Sequence, residues 1–268
     1  MAAGDQPVSL RWPDPASIAR RVALLAIGIL AWEAMARSGL WSPLIVPSVV
    51  RIGYQLWLLV TRPESLVEAW YSVARGLGGF ALAAVVGVAL GVLMGRSALA
   101  AAFFGPVFSG TYPIPKIALF PIFIYLFGIG SLSKVLLIFL ECLYPIVITT
   151  QAGGRAVNRV LLWSAANMGA SRARILWRVV VPATAPFIFA GFRVALPIAM
   201  IVVIITEMIS SADGLGYLVM YSLASFKTDR MLAVVLVIAL LGVALDRLVV
   251  RLRNRLVFWE RLESYYAE

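Results

Sequence analysis

Residues 76–95 read GLGGFALAAVVGVALGVLMG, a run with no charge and no proline, bounded by Arg75 and Arg96. A helix needs about 20 mostly apolar residues to cross a bilayer, and this stretch has that length. Gly79, Ala83, Gly87, Gly91 and Gly95 recur every four residues and so share one helix face. Small residues on such a stripe let two helix backbones approach closely. The reading is tight packing inside the subunit, with a contact between two subunits as the alternative.

Working outward, other runs meet the same length requirement. Val22–Met35 extends to about Arg37, with Glu33 near one end. Ala100 to about Gly128 is long and broken by Pro106, Pro113, Pro115 and Pro121. Leu132 to about Thr150, Pro186 to about Met208, and Met231 to about Val250 complete the set. Six helices are expected, in an all-α membrane protein. The strict alternation of a lumen-facing strand is missing, which argues against a β-barrel. Composition agrees: 62% of the 268 residues are hydrophobic and 13% charged, with mean hydropathy +0.94. Soluble domains lie nearer ~45–50% apolar and ~25% charged.

These numbers exclude several functions. The chain has no His, and Cys142 is its single cysteine, so the usual zinc and haem ligands and any internal disulfide are missing. No Ser-His-Asp arrangement is possible without His. None of Lys116, Lys134 and Lys227 follows a glycine, so no nucleotide-binding Gly-Lys-Ser/Thr exists. We therefore expect no catalytic, metal or cofactor-binding residues here. The net charge of +10 does not imply nucleic acid, because the arginines sit at the ends of apolar runs, as in membrane proteins.

Residues 1–17 hold Pro7, Pro13 and Pro15 and no apolar core, so the first run reads as a retained span rather than a secretory signal. With the N-terminus placed in the cytoplasm, 14 of the 23 Lys and Arg fall inside and 7 outside, with Lys116 and Arg193 within apolar runs. This bias places both termini in the cytoplasm. The expected organisation is a cytoplasmic segment, 1–21, and one transmembrane domain, 22–268.

Two connections are long. Residues 38–75 contain a helix-like stretch, Glu64–Arg75, which reads as an interfacial helix leading into the second span. Residues 151–185 contain an apolar stretch, Val157–Met168, then Gly169, then a basic helix Ser171–Val181 that meets Pro182. Glycine ends helices in a left-handed conformation, and proline stops one helix or opens the next. The pattern is helix, glycine elbow, basic helix. A groove in a partner or the lipid surface would cover its apolar side.

In the third span, Pro113, Pro115 and Pro121 remove backbone donors around Lys116. Irregular backbone at membrane depth is tolerated beside protein or a water-filled cavity. A cation there costs about 2.5–3.5 kcal/mol on insertion scales, so Lys116 either snorkels, pairs, or lines a path that attracts an anion. These residues and Glu207, which caps or pairs near the outer end of the fifth span, are the candidates for a translocation path.

The elbow also carries a resemblance. Ala165-Ala166 and Gly169, with Pro182 thirteen residues later, resemble the EAA loop of bacterial ABC-importer permeases. That pattern reads Glu-Ala-Ala, three residues, Gly, nine residues, Ile, any residue, Leu-Pro. Here Trp163-Ser164-Ala165 is followed by Gly169, Val179, Val181 and Pro182, so Trp163 stands where the pattern has glutamate. The rest of the chain is similar to the nitrate, sulfonate and taurine branch. Pro47-Ser48, Arg75-Gly76 with Phe80, Gly87, Gly91 and Gly95, and Pro113-Ile114-Pro115-Lys116 through Pro121 occur in that branch's order. Phe127-Gly128-Ile129-Gly130 and Glu207 followed by Asp213-Gly214-Leu215-Gly216-Tyr217 complete it.

The resemblance implies a five-helix permease core with one extra N-terminal span, in the bacterial inner membrane. It implies a coupling loop at Trp163, Ser164, Ala165, Ala166, Gly169, Ala170 and Pro182. The implied partners are a second copy of the chain, two cytoplasmic ATP-binding subunits that hold ATP and magnesium, and an extracytoplasmic solute-binding protein. Transport would run by alternating access, with a small anion such as a sulfonate, taurine or nitrate as cargo. The same branch also carries pyrimidine-type and aromatic vitamin precursors. A secondary transporter is the rival class, but no inverted repeat is evident.

Overall fold

The computed structural model describes residues 15–259, so Arg11 and Arg261, both counted for the orientation, lie outside the described residues. The first helix, α1 (Pro15–Arg37), already runs at Pro15, ahead of the apolar segment that begins at Val22. Leu24, Leu25, Ile27 and Leu30 are exposed along it. Its far end is tied down: Trp32 Nε1 donates to the Pro47 carbonyl at 3.0 Å, and Glu33 accepts from the Val49 amide at 2.7 Å. That second bond satisfies an orphan donor at the start of α2 (Val49–Thr61), where Ser48 is the N-cap.

After Arg62 and Pro63 comes α3 (Pro63–Arg96), a continuous helix of 34 residues, about 51 Å long. The stretch Glu64–Arg75 is therefore not a separate interfacial helix. No glycine or proline interrupts it before the apolar run, so the helix simply continues. The small-residue stripe of α3 faces α6 (Ser131–Ala156). A Cβ on Gly79 would lie 2.6 Å from Ile138, and one on Gly91 would lie 2.5 Å from Thr150 Cβ. At Gly95 it would meet the Gln151 carbonyl at 2.9 Å. The stripe is thus intrasubunit packing, and it carries much of the core around Ala83, Leu137, Ile138, Cys142 and Ile146.

The proline-rich third segment is broken, as its sequence requires. Helix α4 (Ala98–Thr111) gives way at Tyr112–Pro115, a 3₁₀ turn spans Lys116–Leu119, and α5 (Phe120–Phe127) leaves at 86° to α4. The pair is one bent span or a re-entrant loop.

The elbow follows α6. Helix α7 (Arg159–Asn167) opens with Asn158 accepting from the Val160 amide at 2.9 Å. It ends at Gly169, where φ is +77°. The Ala170 amide donates to Ala165 O and the Gly169 amide to Ala166 O, the paired closure of a Schellman motif. The basic helix does not stop at Pro182. It starts as α8 (Arg172–Ile175), widens into a π-turn at Leu176–Val180, and runs on as α9 (Val181–Ser210). In the π-turn the Val181 amide reaches back to Leu176 O, so the ladder has shifted by one residue where Pro182 supplies no donor.

Helix α10 (Leu215–Ala224) and α11 (Thr228–Leu256) close the bundle against α2 and α9 around Leu215, Leu218, Ala233 and Val234. Among the described residues, α3, α6, the continuous run from α8 through α9, and α11 are each long and apolar enough to cross a membrane. The bent α4–α5 pair makes a fifth. The first span expected from the sequence falls on α1, which is not among these helices, so four or five spans are found where six were expected.

Candidate functional site

Arg75 organises the end of the bundle opposite the elbow. It sits on α3 and is buried. Its Nη1 meets Glu207 Oε1 at 2.8 Å, its Nη2 meets Asp213 Oδ1 at 2.5 Å, and its Nε donates to Ser131 Oγ at 2.9 Å. Glu207, 1% exposed at the end of α9, also accepts from Ser72 Oγ at 2.6 Å and from the Gly216 amide at 3.1 Å. Ser72 Oγ in turn accepts from the Leu215 amide at 2.8 Å, and Glu68 accepts from the Gly214 amide. Gly214 has φ +98°, and any side chain there would strike the Glu207 carboxyl. Burying a charge is expensive unless it is paired and hydrogen-bonded, and every member here is. One knot thus ties α3, α6, α9 and α10 together. The sequence singled out Glu207 without a partner and treated Arg75 as a loop arginine. The usable signal was Arg75 directly ahead of a chargeless span.

Lys116 is buried in the 3₁₀ turn. Its Nζ donates to the carbonyls of Tyr112 and Ile114, both at 3.3 Å, and lies 3.9 Å from the centre of the Tyr144 ring. The break supplies what the cation needs: the Tyr112 and Ile114 carbonyls, which lie past the end of α4, and an aromatic face held by the Thr111–Tyr144 hydroxyl bond at 2.6 Å. Pro121 opens α5 at the far side of that turn. The other buried lysine among the described residues, Lys134, donates to Gly130 O at 3.2 Å. Arg193 reaches Asp246 at 3.3 Å on an exposed face between α9 and α11.

At the opposite end, α7 docks inward through Ala165 and through Leu162, which packs on the cluster Val92, Val157 and Val180. Its other side is apolar and uncovered. Trp163 is 62% exposed, and Val160, Leu161 and Met168 are also exposed. Ser164, Ala166 and Gly169 lie on the same open surface, with Ala170 half-buried behind them. Pro182 stands beyond the π-turn, at the start of α9. Among the described residues no group of His, Cys, Asp and Glu could hold a metal ion.

A family of binding-protein-dependent transport system inner membrane components matches residues 84–258. The chain is 31% identical over 255 residues to the taurine transport system permease protein of Escherichia coli K12, covering 93% of this chain and 92% of that protein. It is 29% identical over 239 residues to the formylaminopyrimidine transport permease protein of Halalkalibacterium halodurans, covering 87% and 92%. It is 26% identical over 249 residues to the nitrate import permease protein of Synechocystis, covering 90% of each.

Proposed function

Since the chain belongs to the family of binding-protein-dependent transport system inner membrane components, on the branch of the taurine and nitrate ABC permeases, we propose that it forms the transmembrane path of an ATP-driven importer for a small organic or inorganic anion. The observation that carries the reading is the elbow. Its short helix is fixed at both ends by caps, and it turns an uncovered apolar surface outward at one end of the bundle. A helix presented this way fits a groove in a partner. This end faces the cytoplasm, where two ATP-binding subunits dock. The knot faces the other side, where a solute-binding protein delivers cargo. Two copies of the chain enclose the path, and ATP shifts the assembly between inward and outward states by binding one more tightly. No step of hydrolysis belongs to this chain.

An anionic cargo is supported by the two relatives named for taurine and nitrate. The relative named for formylaminopyrimidine supports a neutral heterocycle instead. The test is uptake into liposomes holding the chain with the ATP-binding and solute-binding proteins encoded nearest to it. Labelled taurine, nitrate and formylaminopyrimidine are offered with and without ATP inside. ATP-dependent uptake of an anion is expected. Uptake independent of ATP and of the ATP-binding subunit would instead establish a secondary transporter.

A further inference from the structure

A groove of about 970 Å³ runs between α3 and the helix that leaves the elbow. One wall is the face of α3 from Val85 to Arg96, and the other runs from Arg172 through the π-turn to Val181. The walls are antiparallel: a Cβ on Gly76 would meet Met200 at 3.5 Å, and Val92, further along α3, shares a cluster with Val180. Arg96, the last residue of α3, and Arg172, the first of α8, therefore stand at the same, elbow end of the groove. Apart from these two and Trp177, which is exposed on the rim, the lining is aliphatic. The wall from Val85 to Arg96 spans eleven residue steps, about 16 Å of helix. That is the depth of one leaflet in a hydrocarbon core about 30 Å thick.

The charge at the elbow end of the groove has one sign. Arg96 and Arg172 are exposed, and no Asp or Glu occurs between Glu68 and Glu141 or between Glu141 and Glu207. Both walls lie inside those stretches, so neither carries a carboxylate. Arg96 donates to the Gly154 carbonyl at 3.4 Å, and among the described residues neither arginine makes an ion pair. A free oxyanion would satisfy the arginines and leave the apolar slot unfilled. Acyl chains alone would fill the slot and leave the arginines without a counter-charge. A phospholipid with a net negative headgroup does both, whereas a choline headgroup would set a third cation beside two guanidiniums. Trp177, five residues past Arg172, stands where an indole is favoured, at the level of the headgroups.

We propose that this groove holds one anionic phospholipid of the elbow-side leaflet. Its phosphodiester lies between Arg96 and Arg172, and its acyl chains lie along the aliphatic walls toward Val85. The lipid bridges α3 and the π-turn directly behind the elbow. The site rests on the placement of α3 across the bilayer and on nothing about cargo or ATP.

The test titrates the full chain in detergent with phosphatidylglycerol or phosphatidylcholine of the same acyl chains, and native mass spectrometry counts the lipid bound. A basic side chain near an anionic headgroup contributes about fivefold in affinity, so two give about 25-fold. The first phosphatidylglycerol should therefore bind about 25-fold more tightly than phosphatidylcholine. Arg96→Gln and Arg172→Gln should each lower that preference about fivefold. Arg174→Gln, an exposed arginine on the same helix outside the groove, should leave it unchanged. Ala89→Trp, which fills the slot from an exposed position on α3, should weaken phosphatidylglycerol binding with both arginines intact. Equal affinity for the two lipids would overturn the site, as would an Arg174→Gln loss equal to that of Arg172→Gln, which marks diffuse surface charge. A second copy covering the groove would overturn it too: neither lipid is preferred, and Ala89→Trp shifts the mass toward monomer. Arg96 and Arg172 are exposed, so their variants decide the matter even if Ala89→Trp fails to fold. Failure of the importer reading looks different: the lipid preference persists, while no ATP-driven uptake appears.

Discussion

The two ends of the bundle are built on opposite principles. At the knot, Arg75, Glu207, Asp213, Ser72 and Glu68 are bonded to one another and to the backbone of α10. At the elbow, Val160, Leu161, Trp163 and Met168 face outward with nothing of this chain over them. One end satisfies its costly groups internally and so holds four helices in register. The other leaves apolar surface open, which a soluble monomer avoids in large patches and an interaction site requires. The difference separates the part that keeps its shape from the part that we propose a partner moves.

The largest effect is expected at the knot. Arg75→Met leaves Glu207 buried without its cation, and breaking a buried pair on one side costs about 3–5 kcal/mol. Thermal unfolding in detergent should show a large loss of stability. Arg75→Met combined with Glu207→Gln should recover part of it, because no unpaired charge remains. If the double variant is no better than the single one, charge pairing is not what holds this end.

Next in size is Trp163→Ala at the elbow. Exposed aromatic anchors typically account for roughly 2 kcal/mol of a protein interface, about thirtyfold in Kd. The variant should unfold at the wild-type temperature and bind the ATP-binding subunit about that much more weakly in a titration. Lowered stability with unchanged binding would erase the contrast between the two ends. The smallest effect is assigned to Arg193→Gln. Its partner Asp246 is on an exposed face, and such pairs contribute about 0–1 kcal/mol in water. Melting should barely move, and a large drop would place this pair in a buried contact between copies.

Much of the fold was legible because the bilayer imposes simple demands. Close backbone approach requires small residues, so the stripe from Gly79 to Gly95 announced the α3–α6 contact. Prolines around Lys116 announced the break between α4 and α5. Gly169 announced the left-handed elbow. Two features were not readable. Nothing in the sequence says which charges meet across 132 residues, so Arg75 and Glu207 could not be paired in advance. Pro182 read as a stop or as the opening of the next helix; it opens α9, and the π-turn before it that keeps the helix running was not legible.

The central claim is that a rigid, capped elbow couples this chain to an ATP-binding subunit. Gly169→Val tests it most directly. A β-branched residue at φ +77° is strained by about 1–3 kcal/mol, while the site itself has open space and no packing to lose. The measurement is capture of the ATP-binding subunit by wild type and variant, followed by ATP hydrolysis in liposomes with the solute-binding protein present. The account predicts a variant that inserts and melts like wild type, yet captures less partner or loses stimulation of hydrolysis by loaded binding protein. Normal capture together with normal stimulation would contradict it, leaving α7 as a helix that rests on the membrane surface.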